Sequence, residues 1–151
     1  MAHRTSAADR RFVQDVESGR LSSDAFDHRA HLRLAYTCLA EHPEDEALTR
    51  LRSALLAFLR HHGVDPTKYH ETLTRAWFLA VRHFMAGSPD AESADTFIDE
   101  NPVLMDSGIM RSHYSAELLF SDRARGEFVA PDIEPIPEHP DPPSRDVGLR
   151  E

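Results

Sequence analysis

The sequence predicts an all-α protein, arranged as a four-helix bundle with short C-terminal helices and an extended proline-rich tail. Apolar residues recur at helical spacing in four successive segments, and capping and stop residues separate these segments. We find no convincing strand alternation. The 151 residues are enough for one domain with a sizeable core, which we expect to span residues 1–130, with the tail at 131–151.

The first two predicted helices each follow a capping residue. Ser6 precedes a segment with one apolar side, and Gly19 stops that helix. Asp27 precedes the second helix, which ends before Pro43 because the residue before a proline disfavours helical geometry. We therefore expect two short helices joined by a turn.

The next two predicted helices are longer. The third carries a stripe of apolar residues and stops at Gly63. The fourth begins with Asp65 as cap and Pro66 at its first position, where a missing N–H costs nothing, and it runs to Gly87. The stripe of the third helix consists of Leu48, Leu51, Leu55, Phe58 and Leu59.

Beyond Gly87 the helical signals become short. One brief helix is broken at Pro102, and one or two further turns follow Ser115, which is a suitable cap. From Val129 onward, proline and acidic residues dominate and predict an extended chain. Its first part, with Phe128, Val129, Ile133 and Ile136, is expected to lie against the domain.

The amino-acid composition argues against two classes of binding partner and indicates the cellular compartment. The net charge of −9 and pI near 5.5 argue against nucleic acid and anionic membranes, which would repel an acidic surface. One cysteine, Cys38, excludes an intrachain disulfide and fits a reducing compartment. No apolar run resembles a signal peptide or a membrane span, so we expect a cytoplasmic protein. The expected partner is a small-molecule substrate, which the candidate site described below would bind. The oligomeric state stays open.

Histidines begin the apolar stripes of two predicted helices. His28 and His31 share the apolar face of the second helix, and His70 precedes Leu73 and Trp77 on the fourth. Short connections make consecutive helices antiparallel, so the second and fourth should run in parallel. The three imidazoles should then converge at one end of the core.

Converging imidazoles suggest a divalent metal, since burying polar rings without partners is unfavourable. Residues three apart on a helix lie about 5–6 Å apart at Cβ, so His28 and His31 could share an ion that His70 also binds. Three histidines with an open position suit zinc first, and copper, iron, manganese or nickel as alternatives. The positive helix ends would keep the rings neutral and favour an anionic ligand. Alternatively, each ring is a hydrogen-bonded core histidine.

Neighbouring residues extend the predicted site. Glu71 is a candidate base, fourth ligand or orienting partner, or else an ordinary solvated glutamate. Lys68 and Tyr69 could present a cation and a phenol to a substrate, or lie at the surface and half-buried. If the chain returns to the histidine end after the fourth helix, His113 becomes a lid residue, an anion contact or a fourth metal ligand. Tyr114 then joins Glu71, Lys68 and Tyr69 as a candidate catalytic residue.

Four segments in combination, "FDHRAHLRLAY", "KYHETLTRAW", "NPVLMDSGIMRSHYS" and "FVAPDIEPIP", resemble a family of small, mostly uncharacterised bacterial proteins. The similarity covers most of the chain and brings no established reaction with it. It implies that eight residues form one site: His28, His31, Lys68, Tyr69, His70, Glu71, His113 and Tyr114.

Three hypotheses follow. The first is a small metalloenzyme, in which hydrolytic or lyase chemistry needs fewer additional components than redox chemistry. The second is a metal-free module that binds a small anion through neutral histidines, Lys68 and Tyr69. The third is a structural or interaction protein, whose histidines form a buried hydrogen-bond network and whose proline-rich tail binds a partner.

Overall fold

The structure is a computed structural model and describes residues 3–137. This part of the chain forms seven α-helices and no strand, which confirms the all-α prediction. Residues 138–151, most of the predicted tail, lie outside the described residues. The helices are α1 (Ala7–Glu17), α2 (His28–Glu41), α3 (Glu44–His61), α4 (Glu71–Gly87), α5 (Ala94–Glu100), α6 (Ala116–Leu119) and α7 (Asp122–Gly126).

The predicted boundaries of the first two helices are confirmed by their hydrogen bonds. Ser6 and Asp9 form a reciprocal capping box, with N–O distances of 3.0 and 3.1 Å. The Asp27 carboxylate accepts the N–H of Ala30 at 2.9 Å. Gly19 has a φ of +75°, and a side chain there would collide with His61 on α3, so this stop position requires glycine.

The start of the fourth helix differs from the prediction. Asp65 caps a separate 3-10 turn, Pro66–Lys68, and α4 begins only at Glu71. His70 is the N-cap of α4, and its Nδ1 accepts the N–H of Leu73 at 3.1 Å. The apolar spacing is the same whether His70 caps the helix or occupies its first turn. Periodicity therefore placed the helix start five residues too early.

Helix α2 occupies the centre of the domain. It contacts α1, α3, α4 and α5, and residues on every side of it are buried, including the continuous run 34–38. A helix enclosed in this way does not show one apolar stripe. The regular four-helix bundle that the sequence suggests remains a prediction.

Helices α2 and α4 run in the same direction. Near the start of α2, the His28 ring packs edge-on against Trp77, with centroids 4.6 Å apart. Farther along, His3 joins the two helices, since its ring packs against Tyr36 and its Nε2 donates to Met85 O at 2.6 Å. The order of these contacts along both helices agrees with the parallel arrangement expected from the sequence.

The chain after α7 returns across α4. Within this segment Val129 and Ile136 are buried, as predicted, whereas Ile133 is exposed. Thr72 fixes its start, because the Thr72 hydroxyl accepts the N–H of Val129 at 3.1 Å and donates to Glu127 O at 2.9 Å. The first part of the predicted tail thus lies on the helical domain.

None of the helices within residues 3–137 combines the length and the apolar character needed to cross a lipid bilayer.

Candidate functional site

A cavity of about 270 Å³ lies between the start of α2, the second half of α3, the connection 62–70 and the first half of α4. We call it the His31 pocket. Its wall is mostly apolar and no acidic residue lines it. The lining residues are Phe26, His31, Leu55, Phe58, Leu59, Lys68, Tyr69, His70, Leu73, Thr74 and Trp77.

His31 lacks a hydrogen bond at one ring nitrogen. Its Nε2 is inaccessible to solvent and has no partner among the described residues. Burial, together with the nearby His28, lowers the pKa of His31 to about 4. His31 is therefore a neutral imidazole at physiological pH, and the absence of a partner among the described residues is unfavourable for folding.

The other two histidines of the predicted cluster are hydrogen-bonded to carbonyl groups. His28 donates from Nε2 to Leu104 O at 2.8 Å, and His70 donates from Nε2 to Leu119 O at 2.7 Å. Since Nδ1 of His70 accepts from Leu73, both of its ring nitrogens are occupied and its tautomer is fixed. In this arrangement His28 and His70 are half-buried histidines whose Nε2 atoms are hydrogen-bonded to backbone carbonyls.

The geometry does not fit a three-histidine metal centre. Throughout residues 3–137, no group of three or more His, Cys, Asp or Glu side chains is arranged to hold a metal ion. His70 has no ring nitrogen left to bind one, and His28 uses its Nε2. The divalent metal remains a prediction from the sequence.

Glu71 and Tyr69 belong to a network that also includes Arg52. The Tyr69 hydroxyl donates to Glu71 Oε1 at 2.6 Å, and the Arg52 guanidinium donates to both oxygens of Glu71. Burial alone would raise the pKa of Glu71, but the hydrogen bonds from Arg52 and Tyr69 lower it below its usual value. Glu71 is thus an ionised carboxylate that does not line the His31 pocket. Its side-chain hydrogen bonds are with Arg52 and Tyr69, whereas the orienting role considered from the sequence was for an imidazole, so that role stays a prediction.

Lys68 places a positive charge at the mouth of the pocket. It is the only lysine of the chain, its side chain is exposed, and no ion pair joins it to another described residue. Asp65, three residues earlier, accepts the N–H of Thr67 at 2.9 Å and also interacts electrostatically with Lys68. The pocket therefore has one cation at its mouth and no carboxylate in its lining.

His113 and Tyr114 do not reach the His31 pocket. His113 donates from Nδ1 to Glu134 O at 2.8 Å, and the fully buried Tyr114 donates to Val129 O at 2.7 Å. The chain does return past the histidine end, but there it presents the backbone carbonyls of Leu104 and Leu119. In the structure, His113 and Tyr114 fix the C-terminal segment.

Several residues of the site were not singled out from the sequence. Leu55 and Phe58 belong to an apolar stripe, and periodicity cannot distinguish a pocket wall from a solid core. Phe26 precedes α2 in an irregular segment and gave no helical signal. Arg52 enters the site through a contact 19 residues away, which no local pattern encodes.

No protein-family model, no curated protein and no solved structure shows a significant match to this chain. The family resemblance of the four sequence segments therefore stays a prediction.

Proposed function

We propose that the protein binds a small organic anion with an apolar body in the His31 pocket. The main observation that supports this proposal is the charge of the pocket lining. It contains one exposed lysine and no carboxylate, in a protein with a net charge of −9. A net negative charge disfavours anion binding in general, whereas a lining with a cation and no carboxylate favours it at this pocket. This is the metal-free alternative of the sequence analysis.

The walls define the ligand's body. Trp77, Phe26 and Phe58 contribute aromatic side chains, and three leucines add aliphatic surface. The volume of about 270 Å³ lies just below the roughly 300 Å³ at which pockets for drug-sized ligands begin. A single ring or a short aliphatic chain with one carboxylate therefore suits the pocket, with the carboxylate at Lys68.

Ligand binding can be measured by the fluorescence of Trp77, because Trp77 is the only tryptophan of the chain and lines the pocket. We expect phenylacetate to change Trp77 fluorescence on titration, and the uncharged phenylacetamide to bind about tenfold more weakly. Lys68→Met should weaken phenylacetate binding by a similar factor. The matched control is Arg11→Met, which removes an exposed cation from α1. Equal affinity in wild type and Lys68→Met would contradict the proposal.

A metal-dependent enzyme, with hydrolytic or lyase chemistry, is the second candidate. One observation favours it: Nε2 of His31 has no partner among the described residues. A ligand set completed by His28 or His70 would require these rings to leave Leu104 and Leu119.

Metal analysis of untagged protein tests the second candidate. Stoichiometric zinc or copper that disappears in both His31→Ala and His70→Ala would support it. If the protein stays metal-free after addition of either ion, and its melting temperature does not change, the metal-free pocket is favoured.

A further inference from the structure

The mouth of the His31 pocket is built by a segment without regular helix. The connection 62–70 between α3 and α4 contributes Lys68, Tyr69 and His70 to the lining. Connections of this kind are usually the more mobile parts of a domain, whereas a binding site needs its side chains held in place. Residues 68–70, at the end of this connection, must therefore be held in place by contacts with other parts of the domain.

Arg52 on α3 and Glu71 at the first position of α4 form a two-pronged ion pair beside it. Arg52 Nε lies 2.9 and 3.0 Å from the two Glu71 oxygens, and Nη2 lies 2.6 Å from Oε2. Two-pronged, charge-assisted pairing of this type is both strong and directional. The carboxylate also lies in the first turn of α4, where the helix dipole favours negative charge.

Tyr69 is attached to this pair through its hydroxyl. It donates to Glu71 Oε1 at 2.6 Å, and the same oxygen accepts from Arg52. Burial and the Glu71 carboxylate both raise the pKa of Tyr69, so the phenol stays protonated and remains the donor. The contact therefore holds the ring in one orientation and does not supply acid–base chemistry.

We infer that Arg52 is a positioning residue for the His31 pocket: through Glu71 it fixes Tyr69, and with it the adjacent Lys68, at the pocket mouth. Neither Arg52 nor Glu71 lines the pocket, so their effect on a ligand is indirect. The expected effect of Arg52 on ligand affinity rests on the proposed anion binding. The restraint that it places on residues 66–70 does not require a ligand.

The ligand-free test is amide hydrogen exchange. In Arg52→Met we expect exchange at residues 67–70 to become about tenfold faster than in wild type. Arg50→Met is the matched control, since Arg50 is on the same helix, is exposed and has only a long ion pair with Glu46 at 3.8 Å. Unchanged exchange at 67–70 in Arg52→Met, with a folded core, would overturn the inference.

The second test is a double-mutant cycle on phenylacetate affinity. Arg52→Met and Tyr69→Phe should each weaken binding by about tenfold, and the double variant should bind no more weakly than either single variant. A purely structural Arg52 would instead lower the unfolding midpoint and leave affinity unchanged at temperatures where each variant is folded. That result would also overturn the inference.

The outcomes separate the two proposals. If phenylacetate does not bind to wild type, or if Lys68→Met leaves its affinity unchanged, the proposed function fails. Hydrogen exchange then still decides the role of Arg52. If Lys68→Met weakens binding but Arg52→Met does not, anion binding stands and the positioning role fails.

Discussion

The two sides of the His31 pocket differ in how completely their polar groups are hydrogen-bonded. On the connection side, Tyr69 and His70 use their polar side-chain atoms in contacts with Glu71, Leu73 and Leu119. On the α2 side, His31 presents a buried Nε2 that has no partner among the described residues.

This difference distinguishes histidines that are buried to stabilise the fold from histidines that are buried to form a binding site. A histidine that satisfies both ring nitrogens stabilises the fold and has no capacity left for a ligand. A histidine with a free nitrogen makes the fold less stable, and proteins retain such groups mainly where a site needs them. The comparison thus directs attention from the expected three-histidine cluster to one histidine, His31.

The largest expected effect is the pH dependence caused by His31. Its pKa is about 4 in the folded protein and about 6.5 when unfolded, so below pH 6.5 the unfolded chain takes up a proton that the folded chain does not. Stability is therefore fully present above pH 6.5 and falls by about 3 kcal/mol toward pH 4. Urea unfolding at several pH values measures this loss.

The variant His31→Leu is needed to isolate the contribution of His31 to this pH dependence, because other groups such as Glu71 also take up protons at acidic pH. The difference in stability between wild type and His31→Leu should change by about 3 kcal/mol from pH 7 to pH 4. A parallel pH dependence in the two proteins would show that His31 is not kept neutral by the fold.

The next effect concerns the fully hydrogen-bonded side. His70→Leu removes the cap of α4 and leaves the Leu119 carbonyl without its donor, so we expect a loss of about 2 kcal/mol in unfolding free energy at pH 7. His70→Asn should recover part of this loss, since asparagine is a good N-cap. If His70→Leu is as stable as wild type, the comparison between the two sides fails.

The smallest effect has the opposite sign. At pH 7, His31→Leu should raise the unfolding free energy by about 1 kcal/mol, because an apolar side chain replaces a buried nitrogen that has no partner within residues 3–137. Phenylacetate binding in this variant shows whether the imidazole is needed by the ligand. A clear loss of stability at pH 7 would indicate that His31 has a partner after all.

The sequence was most informative where the determinants are local. Ser6 and Asp27 are favoured caps, and both start helices where expected. His70 also caps a helix, but histidine is not a typical cap, so the apolar spacing that followed it was attributed to a longer helix. The all-helical class and the parallel run of α2 and α4 did not depend on that detail.

The site was only partly predictable for a related reason. His31, Lys68, Tyr69 and His70 do line one pocket: the last three are consecutive in the chain, and the expected parallel run of α2 and α4 brings them beside the start of α2. The partners that decide their roles come from distant positions. The carbonyl of Leu119 and the guanidinium of Arg52 reach the site only through tertiary packing, and periodicity carries no information about them.

The central position of α2 has a consequence for how the chain can be divided. Tyr36 stacks on Phe97 of α5 at 4.9 Å, and His28 needs the Leu104 carbonyl that follows α5. A fragment ending at α4 would expose this surface of its own middle helix to water and would be prone to aggregation. During synthesis, α2 therefore completes its environment only after the segment beyond residue 104 has emerged.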